Sequence, residues 1–423
     1  MKIYNTLTKK VEELIPHEEG KIKMYTCGPT VYHYAHIGNM RNYIGHDILE
    51  KSLLLEGFDV TRAMNITDVG HLTGDSDDGE DKMKLASERE QKTAMEIADF
   101  YTKAFFEDYK KLNLKMPEIV SKATDNIDMY IKMIENLLEK DVAYISGGNI
   151  YFDVTKVKNY YALTNMTQDD LAVGVREGVE EDTSKRNQAD FVLWFTTSKF
   201  ENHELLWDSP WGKGYPGWHI ECSGISIKYL GEHLDIHCGA EDAIFPHHTN
   251  EIAQSEAYLG HEWCKYWFHN EHLNDETGKM SKSKGNVLNP IELVAKYGSD
   301  AFRMGILRGR SAGMNQAFSE QSVVAGRNLC NKLWNISRFI QEMVDEADEQ
   351  DELSATTLNP GEDWICREIN EAKWAIESQM KNYRFSEAVE TLYSLIWDKY
   401  ADWFIETEKV YRNVGLLKET LEA

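Results

Sequence analysis

At 423 residues, 42% hydrophobic and 28% charged, the chain is too long for one ordinary core and holds enough apolar matter for roughly two to four domains. Its formal charge of −25 excludes binding of nucleic acid by bulk attraction, so any RNA contact must use local basic clusters. No run approaches the ~18–20 apolar residues of a membrane span, the N-terminus lacks a secretory stretch, and six cysteines are too sparse for a disulfide framework, so a cytoplasmic protein is expected.

In chain order, Ile22, Met24 and Tyr25 mark an apolar strand that Gly28-Pro29 breaks. Residues 40–55 continue as an amphipathic helix with Ile44, Ile48 and Leu55 along one side. A strand feeding a helix N-terminus is an anion site, because free N–H groups and the helix dipole both face the ligand. His36 and Asn39 lie one helical turn apart there, so both can face one phosphate. Read alone, the stretch favours a plain strand-turn-helix with incidental histidines. Residues 60–66 predict a second strand, making a βαβ unit whose parallel sheet takes ligands at its C-terminal edge. The acidic loop at 74–81 lacks EF-hand spacing and reads as a solvated loop. A long helical region is predicted at 83–112, a helix at 126–140, a hairpin at 143–152, and a resumed strand at 190–194.

Residues 216–256 carry the sharpest chemistry. His247 and Glu251 are spaced i, i+4, which puts both on one face of a helix. With Cys27 and Cys222 they offer a Cys₂-His-Glu set, every member a ligand that zinc accepts. Without Cys-x-x-Cys pairs, spacing alone favours ordinary buried thiols and a helix-capping histidine over a metal site. Further on, Lys279-Met280-Ser281-Lys282-Ser283-Lys284-Gly285-Asn286 is a Gly-flanked loop of alternating lysines and hydroxyls, suited to a polyphosphate and also to plain solvated surface.

The C-terminal part predicts helices at 322–344, near 363–381 and at 385–410, with an acidic linker at 345–352. Tyr393, Trp397, Tyr400, Trp403 and Phe404 recur at spacings of three and four, which reads as core packing for most of them. Residues 344–423 hold 19 acidic and 8 basic side chains, so RNA contact at this end falls to a few groups such as Lys332, Arg338, Lys381 and Arg384.

His36-Ile37-Gly38-Asn39, followed about 240 residues later by Lys279-Met280-Ser281-Lys282-Ser283, resembles the paired signatures of class I aminoacyl-tRNA synthetases, with Asn39 in place of the last histidine of the "HIGH" motif. Within that class, Thr26-Cys27-Gly28-Pro29-Thr30-Val31-Tyr32, Gly217-Trp218-His219-Ile220-Glu221-Cys222-Ser223 and Phe245-Pro246-His247-His248-Thr249-Asn250-Glu251 together look like cysteinyl-tRNA synthetases over residues 1–320. The resemblance implies an α/β fold. A Rossmann-like parallel-sheet catalytic domain (1–115 and 190–272) is split by a connective insertion (116–189). A stem-contact region with the lysine loop (273–318) and an all-α anticodon-binding-like bundle (319–423) follow. Phrases such as 330–335 and 396–403 in that bundle resemble valyl-type synthetases.

The implied activity is cysteine–tRNA ligation: cysteine is activated with ATP to cysteinyl-adenylate and passed to the 3′ end of tRNA(Cys). By the same resemblance Cys27, Cys222, His247 and Glu251 hold one zinc ion per chain, which selects the substrate thiol. Thr30, Thr67, Trp218 and His237 line the cysteine pocket. His36, Asn39 and Lys282 bind ATP, Lys279 joins them in catalysis, and magnesium accompanies the nucleotide. The chain is expected to work as a monomer, away from membranes, with tRNA(Cys), ATP and cysteine as partners. Two other readings are a ligase that joins cysteine to an amino-sugar and a non-catalytic, synthetase-like RNA-binding regulator. The helical bundle argues against the first, and the intact lysines and metal ligands against the second.

Overall fold

The computed structural model describes residues 1–69, 82–164, 183–196, 205–271, 273–275, 278–279, 288–308, 316–347 and 358–423. The acidic loop at 74–81 and residues 280–286, with Lys282, lie outside them. The described chain divides into two compact units, residues 4–110 with 114–272, and residues 273–423 with 1–3 and 111–113.

The larger unit is built on strands β1 (Lys21–Thr26), β2 (Asp59–Ile66), β3 (Ile119–Lys122), β4 (Leu234–Ala240) and β5 (Cys264–Asn270). They form one sheet in the order β5-β4-β1-β2-β3, parallel throughout. Ile22, Met24 and Tyr25 on β1 and Ala63, Met64 and Ile66 on β2 are buried, as strands covered on both faces require. Helix α1 (Ile37–Leu55) links β1 to β2. Arg62 of β2 pairs with Glu50 of α1 at 2.9 Å, and neither side chain is exposed. The expected βαβ unit is therefore present, and the α/β fold class holds.

The helical region expected at 83–112 is two helices, α2 (Lys82–Glu90) and α3 (Ala94–Lys111). Gln91 takes φ +55°, and Thr93 and Glu96 cap the second helix reciprocally, the Thr93 amide donating to Glu96 and the Glu96 amide to the Thr93 hydroxyl at 3.0 and 3.3 Å. That Thr-x-x-Glu start signal is legible in the sequence and marks the break.

The segment expected as an insertion at 116–189 begins on the sheet itself. β3 is the sheet's edge strand, and helix α4 (Ile127–Glu139) packs beneath α5 (Trp218–Leu230), where a Cβ at Gly224 would come within 2.7 Å of the Tyr130 ring. The hairpin β6 (Ala143–Ser146) and β7 (Asn149–Phe152) turns on Gly147 and Gly148, at φ +56° and +92°. The strand expected to resume the parallel sheet, β8 (Phe191–Phe195), instead pairs antiparallel with β7 and with β9 (Tyr215–Pro216) in a second, four-stranded sheet. A continuous apolar run announces a buried strand without announcing its sheet.

In the smaller unit, α6 (Pro290–Tyr297) and α7 (Ser299–Leu307) precede α8 (Glu320–Asp345). α7 and α8 meet backbone to backbone: a Cβ on Gly326 would lie 2.5 Å from the Ala301 carbonyl oxygen, and one on Gly305 2.8 Å from Val323 Cα. The boundary expected at 318/319 lies between these two helices, just before α8. α9 (Pro360–Lys381) and a helical run from Phe385 to Tyr411 complete a bundle around Ile336, Ile340, Ile365, Tyr400 and Phe404. Arg412, at φ +56°, ends that run, and a further helix, Val414–Glu422, closes the core with Leu417. Tyr400 and Phe404 are core as expected, whereas Trp403 is 66% exposed. The four basic groups singled out for RNA each face an acid: Lys332–Asp402 at 2.8 Å, Arg338–Glu342 at 3.3 Å, Lys381–Glu377 at 2.6 Å and Arg384–Glu387 at 2.9 Å. Among the described residues no helix is long and apolar enough to cross a membrane.

Candidate active site

Three adjacent strands deliver the site to their C-terminal edge, where open α/β sheets bind ligands. Cys27 directly follows β1, Thr67 directly follows β2, and His237 lies on β4. Cys222 comes from the second turn of α5. His247 sits in a wide turn, Ile244–His248, that runs into the helix Thr249–Leu259 carrying Glu251. The predicted i, i+4 pairing is realised, with His247 Nε2 3.0 Å from Glu251 Oε1.

The ligand atoms of Cys27, Cys222, His247 and Glu251 all lie within 4.8 Å of one another. Cys27 Sγ and Cys222 Sγ are 3.9 Å apart, and Cys222 Sγ is 3.5 Å from His247 Nε2. A tetrahedral zinc with Zn–S of about 2.3 Å and Zn–N or Zn–O of about 2.0–2.1 Å has edges of about 3.8, 3.6 and 3.3 Å for S–S, S–N and N–O pairs. The observed spacings match that cage to a few tenths of an ångström. Glu251 Oε2 is held by His237 Nε2 at 2.9 Å, while Oε1 is buried without a hydrogen-bond partner and faces the thiols and His247. An oxygen that meets His247 at 3.0 Å outside hydrogen-bond geometry is one that a cation between the ligands would take over.

The charges argue the same way. Burial pushes the Cys222 thiol well up, with Cys27 and Glu251 adding to it. For Cys27 the neighbouring Cys222 thiol lowers the pKa, but burial and Glu251 outweigh it and the net shift is upward. Against desolvation, Glu251 and Cys222 raise His247 to about 10. Desolvation also opposes ionisation of Glu251, yet His237 and His247 bring it down to about 2. Without a metal the pocket thus pairs the Glu251 carboxylate with a protonated His247 and keeps both thiols neutral; a divalent ion would take over the positive charge, release that imidazole proton and favour both thiolates.

A second set, Cys27, His237, His248 and Glu251, meets the same distance test and shares two members. His248 Nε2 is 3.2 Å from Cys27 Sγ, and its Nδ1 is 2.7 Å from His269 Nε2. Sequence reasoning passed over His248, although the His247-His248 doublet was its signal. Two soft thiols make the first set the better zinc site. Cys238 is buried one residue past His237, so it faces the opposite side of β4, and it belongs to neither set.

Of the expected pocket residues, Trp218 stacks on His247 with ring centroids 4.5 Å apart. Thr30 and Thr67 form a parallel bridge, and the Thr67 hydroxyl donates to Glu221 at 3.0 Å. His237 stacks on Trp267 at 4.5 Å in addition to holding Glu251. His36 is the N-cap of α1: its backbone N–H donates to Asn39 Oδ1 at 3.1 Å, and the Asn39 N–H donates to His36 Nδ1 at 3.3 Å. The two signature residues therefore hold each other at the helix start. Of the lysine loop, only the backbone of Lys279 is described, in the strand Gly278–Lys279.

Two family models match the chain. One, described as the tRNA synthetases class I (C) catalytic domain, matches residues 13–325; the other, an anticodon-binding domain of tRNA ligase, matches residues 362–422. The cysteine–tRNA ligase of Treponema denticola is 49% identical over 360 residues, which cover 85% of this chain and 72% of that protein. The cysteine–tRNA ligase of Borreliella burgdorferi is 44% identical over 354 residues, covering 82% and 72%. Among solved structures, methionyl-tRNA synthetase of Mycobacterium tuberculosis in complex with methionyl-adenylate aligns with a TM-score of 0.70 over 95% of this chain and 88% of that one. At 14% identity that likeness speaks for the fold alone.

Proposed function

Because the chain belongs to the cysteine–tRNA ligase family of class I aminoacyl-tRNA synthetases, we propose that it activates cysteine with ATP and esterifies tRNA(Cys) with it, selecting the substrate by its thiol at a zinc ion. The observation that carries the zinc reading is the convergence of Cys27, Cys222, His247 and Glu251 on one buried cage. Bound there, zinc would favour a thiolate over a serine hydroxyl, because sulfur is the softer ligand and loses its proton more readily. Selection at that first step removes the need for a separate editing site.

The chain's own groups do the rest. His237 fixes one carboxylate oxygen of Glu251 and so turns the other toward the thiols. Trp218, packed on His247, holds that imidazole and walls the cysteine pocket together with Thr30 and Thr67. The cysteine carboxylate attacks the α-phosphorus of ATP, forming the mixed anhydride and releasing pyrophosphate. The terminal ribose hydroxyl of the tRNA then attacks the carbonyl carbon and AMP departs. His36 and Asn39 present the N-terminus of α1, with its dipole, to the phosphates. Lys279 and Lys282 are assigned to the departing pyrophosphate, where charge grows in the transition state. Magnesium arrives with the nucleotide.

The match of an anticodon-binding domain model to 362–422 supports tRNA as the acceptor. Charging tests it: with labelled cysteine the full chain should esterify tRNA(Cys), and it should leave an amino-sugar unmodified. Transfer to the amine with tRNA left uncharged would overturn the assignment.

A further inference from the structure

We propose that Asn65 is a positioning residue that sets the separation of the two thiols Cys27 and Cys222, through a one-way hydrogen-bond chain running from the Gly28 amide to the Glu221 carboxylate. The inference rests on the zinc reading given above. The Gly28 backbone N–H donates to Asn65 Oδ1 at 2.7 Å, Asn65 Nδ2 donates to Thr67 Oγ1 at 3.0 Å, and the Thr67 hydroxyl donates to Glu221 Oε2 at 3.0 Å. Asn65, Thr67 and Glu221 are 1%, 2% and 0% exposed. The two ends of the chain are the immediate sequence neighbours of Cys27 and Cys222.

Chemistry forces the direction at each link. A backbone N–H can only donate, so the Asn65 atom facing it must be the oxygen, and the NH₂ must face Thr67. The Thr67 oxygen is then an acceptor, so its single proton goes on to the carboxylate. Gly28 is part of the device: a Cβ there would lie 1.6 Å from the Asn65 carbonyl oxygen, so only glycine lets this amide approach β2. On its other side the preceding amide, that of Cys27, donates to the Cys238 carbonyl on β4 at 3.2 Å. Two consecutive amides, pinned in opposite directions, fix the thiol between them. The chain through Asn65 then ties that turn to Glu221 in the first turn of α5, one residue before the second thiol.

The directionality supplies a test that a purely structural asparagine would not pass. Asn65→Asp keeps the shape but offers Thr67 a second carboxylate, so one hydroxyl proton is contested by two anions. Zinc affinity, measured by chelator competition on folded protein, should fall about 10–100-fold, the range for groups that orient metal ligands. In the cobalt-substituted protein the thiolate-to-cobalt absorption should shift or weaken. Adding Glu221→Gln reverses the chain: Thr67 donates to the carboxylate introduced at position 65 and accepts from the amide introduced at position 221. Zinc affinity and the cobalt spectrum should then recover. Should Asn65→Asp prove insoluble, Thr67→Val breaks the same chain without adding charge and should show the same loss, while Thr67→Ser should retain wild-type affinity. Unchanged zinc affinity and cobalt spectrum in Asn65→Asp or Thr67→Val, or no recovery in the double variant, would overturn the inference. A wild-type chain that holds no zinc would instead overturn the metal reading itself.

Discussion

The two units of this chain use polar side chains in opposite ways. In the sheet unit, Asn65, Thr67, Glu221, His237 and Glu251 are buried and joined by hydrogen bonds whose directions are fixed by chemistry. In the helical unit the charged groups named for RNA sit in exposed pairs, several of them i, i+3 or i, i+4 on one helix. Buried networks stake several kcal/mol on each member, because an unpaired partner cannot turn to water. Exposed pairs are worth about 0–1 kcal/mol and are screened by salt. The first arrangement fixes side chains about a small ligand, whereas the second lets them exchange partners.

The comparison can be broken at its strongest point. Cys222→Ser should reduce zinc from about one equivalent per chain to background and abolish cysteine activation, because one of two soft ligands is gone; elemental analysis alongside pyrophosphate exchange reads both. Lys282→Ala sharpens the picture by separating binding from chemistry. It should lower kcat for adenylate formation by about 10²–10³-fold while KM for cysteine stays within about threefold, since its contact grows with the pyrophosphate charge. Normal turnover with weakened cysteine binding would contradict that role.

The helical unit has one place where shape is as demanding as in the site. Gly326→Leu pushes a side chain into the Ala301 carbonyl and should destabilise this unit by about 1–3 kcal/mol in urea denaturation, with pyrophosphate exchange unchanged. Acid should find the sheet unit first. Burial, helped by Arg62, holds His46 at about 3 against an unfolded value near 6.5. Between those values the unfolded chain binds the extra proton, so this contribution is complete above about pH 6.5 and is lost as the pH falls toward 3. His46→Phe should reduce the slope of stability against pH in that window by up to about 1.4 kcal/mol per unit, measured by denaturation at stepped pH. His269, also held near 3 by burial, leaves its own share of the slope in place. The smallest effect is expected from Arg338→Ala, which removes an exposed pair with Glu342 and should change stability by less than about 0.5 kcal/mol.

How much could be read in advance follows the same division. The βαβ unit and the helix opening near His36 were legible because each rests on residue types at a fixed spacing, whereas the grouping of Cys27, Cys222, His247 and Glu251, which the structure brings together, came from the family resemblance. The chain through Asn65 was not legible, since Asn65-Ile66-Thr67 reads only as the end of a strand and its partners lie 37 and 154 residues away. His248 was hidden by its neighbour His247. The assignment of β8 to the parallel sheet failed because Phe191–Phe195 is buried on every residue and carries no trace of which sheet covers it. The break at Gln91 could have been read from Thr93 and Glu96. The close packing of α7 on α8 could not, because Gly305 and Gly326 look like helix-weakening residues until their approach is seen.

The central claim is that this chain chooses cysteine through a metal held by Cys27, Cys222, His247 and Glu251. Its most direct test is amino-acid-dependent ATP–pyrophosphate exchange in chelator-stripped protein titrated with zinc. Cysteine-dependent exchange should rise from near background and level off at one zinc per chain, and serine should give none at any point. Full exchange with cysteine before zinc is added, or comparable exchange with serine afterwards, would contradict the account.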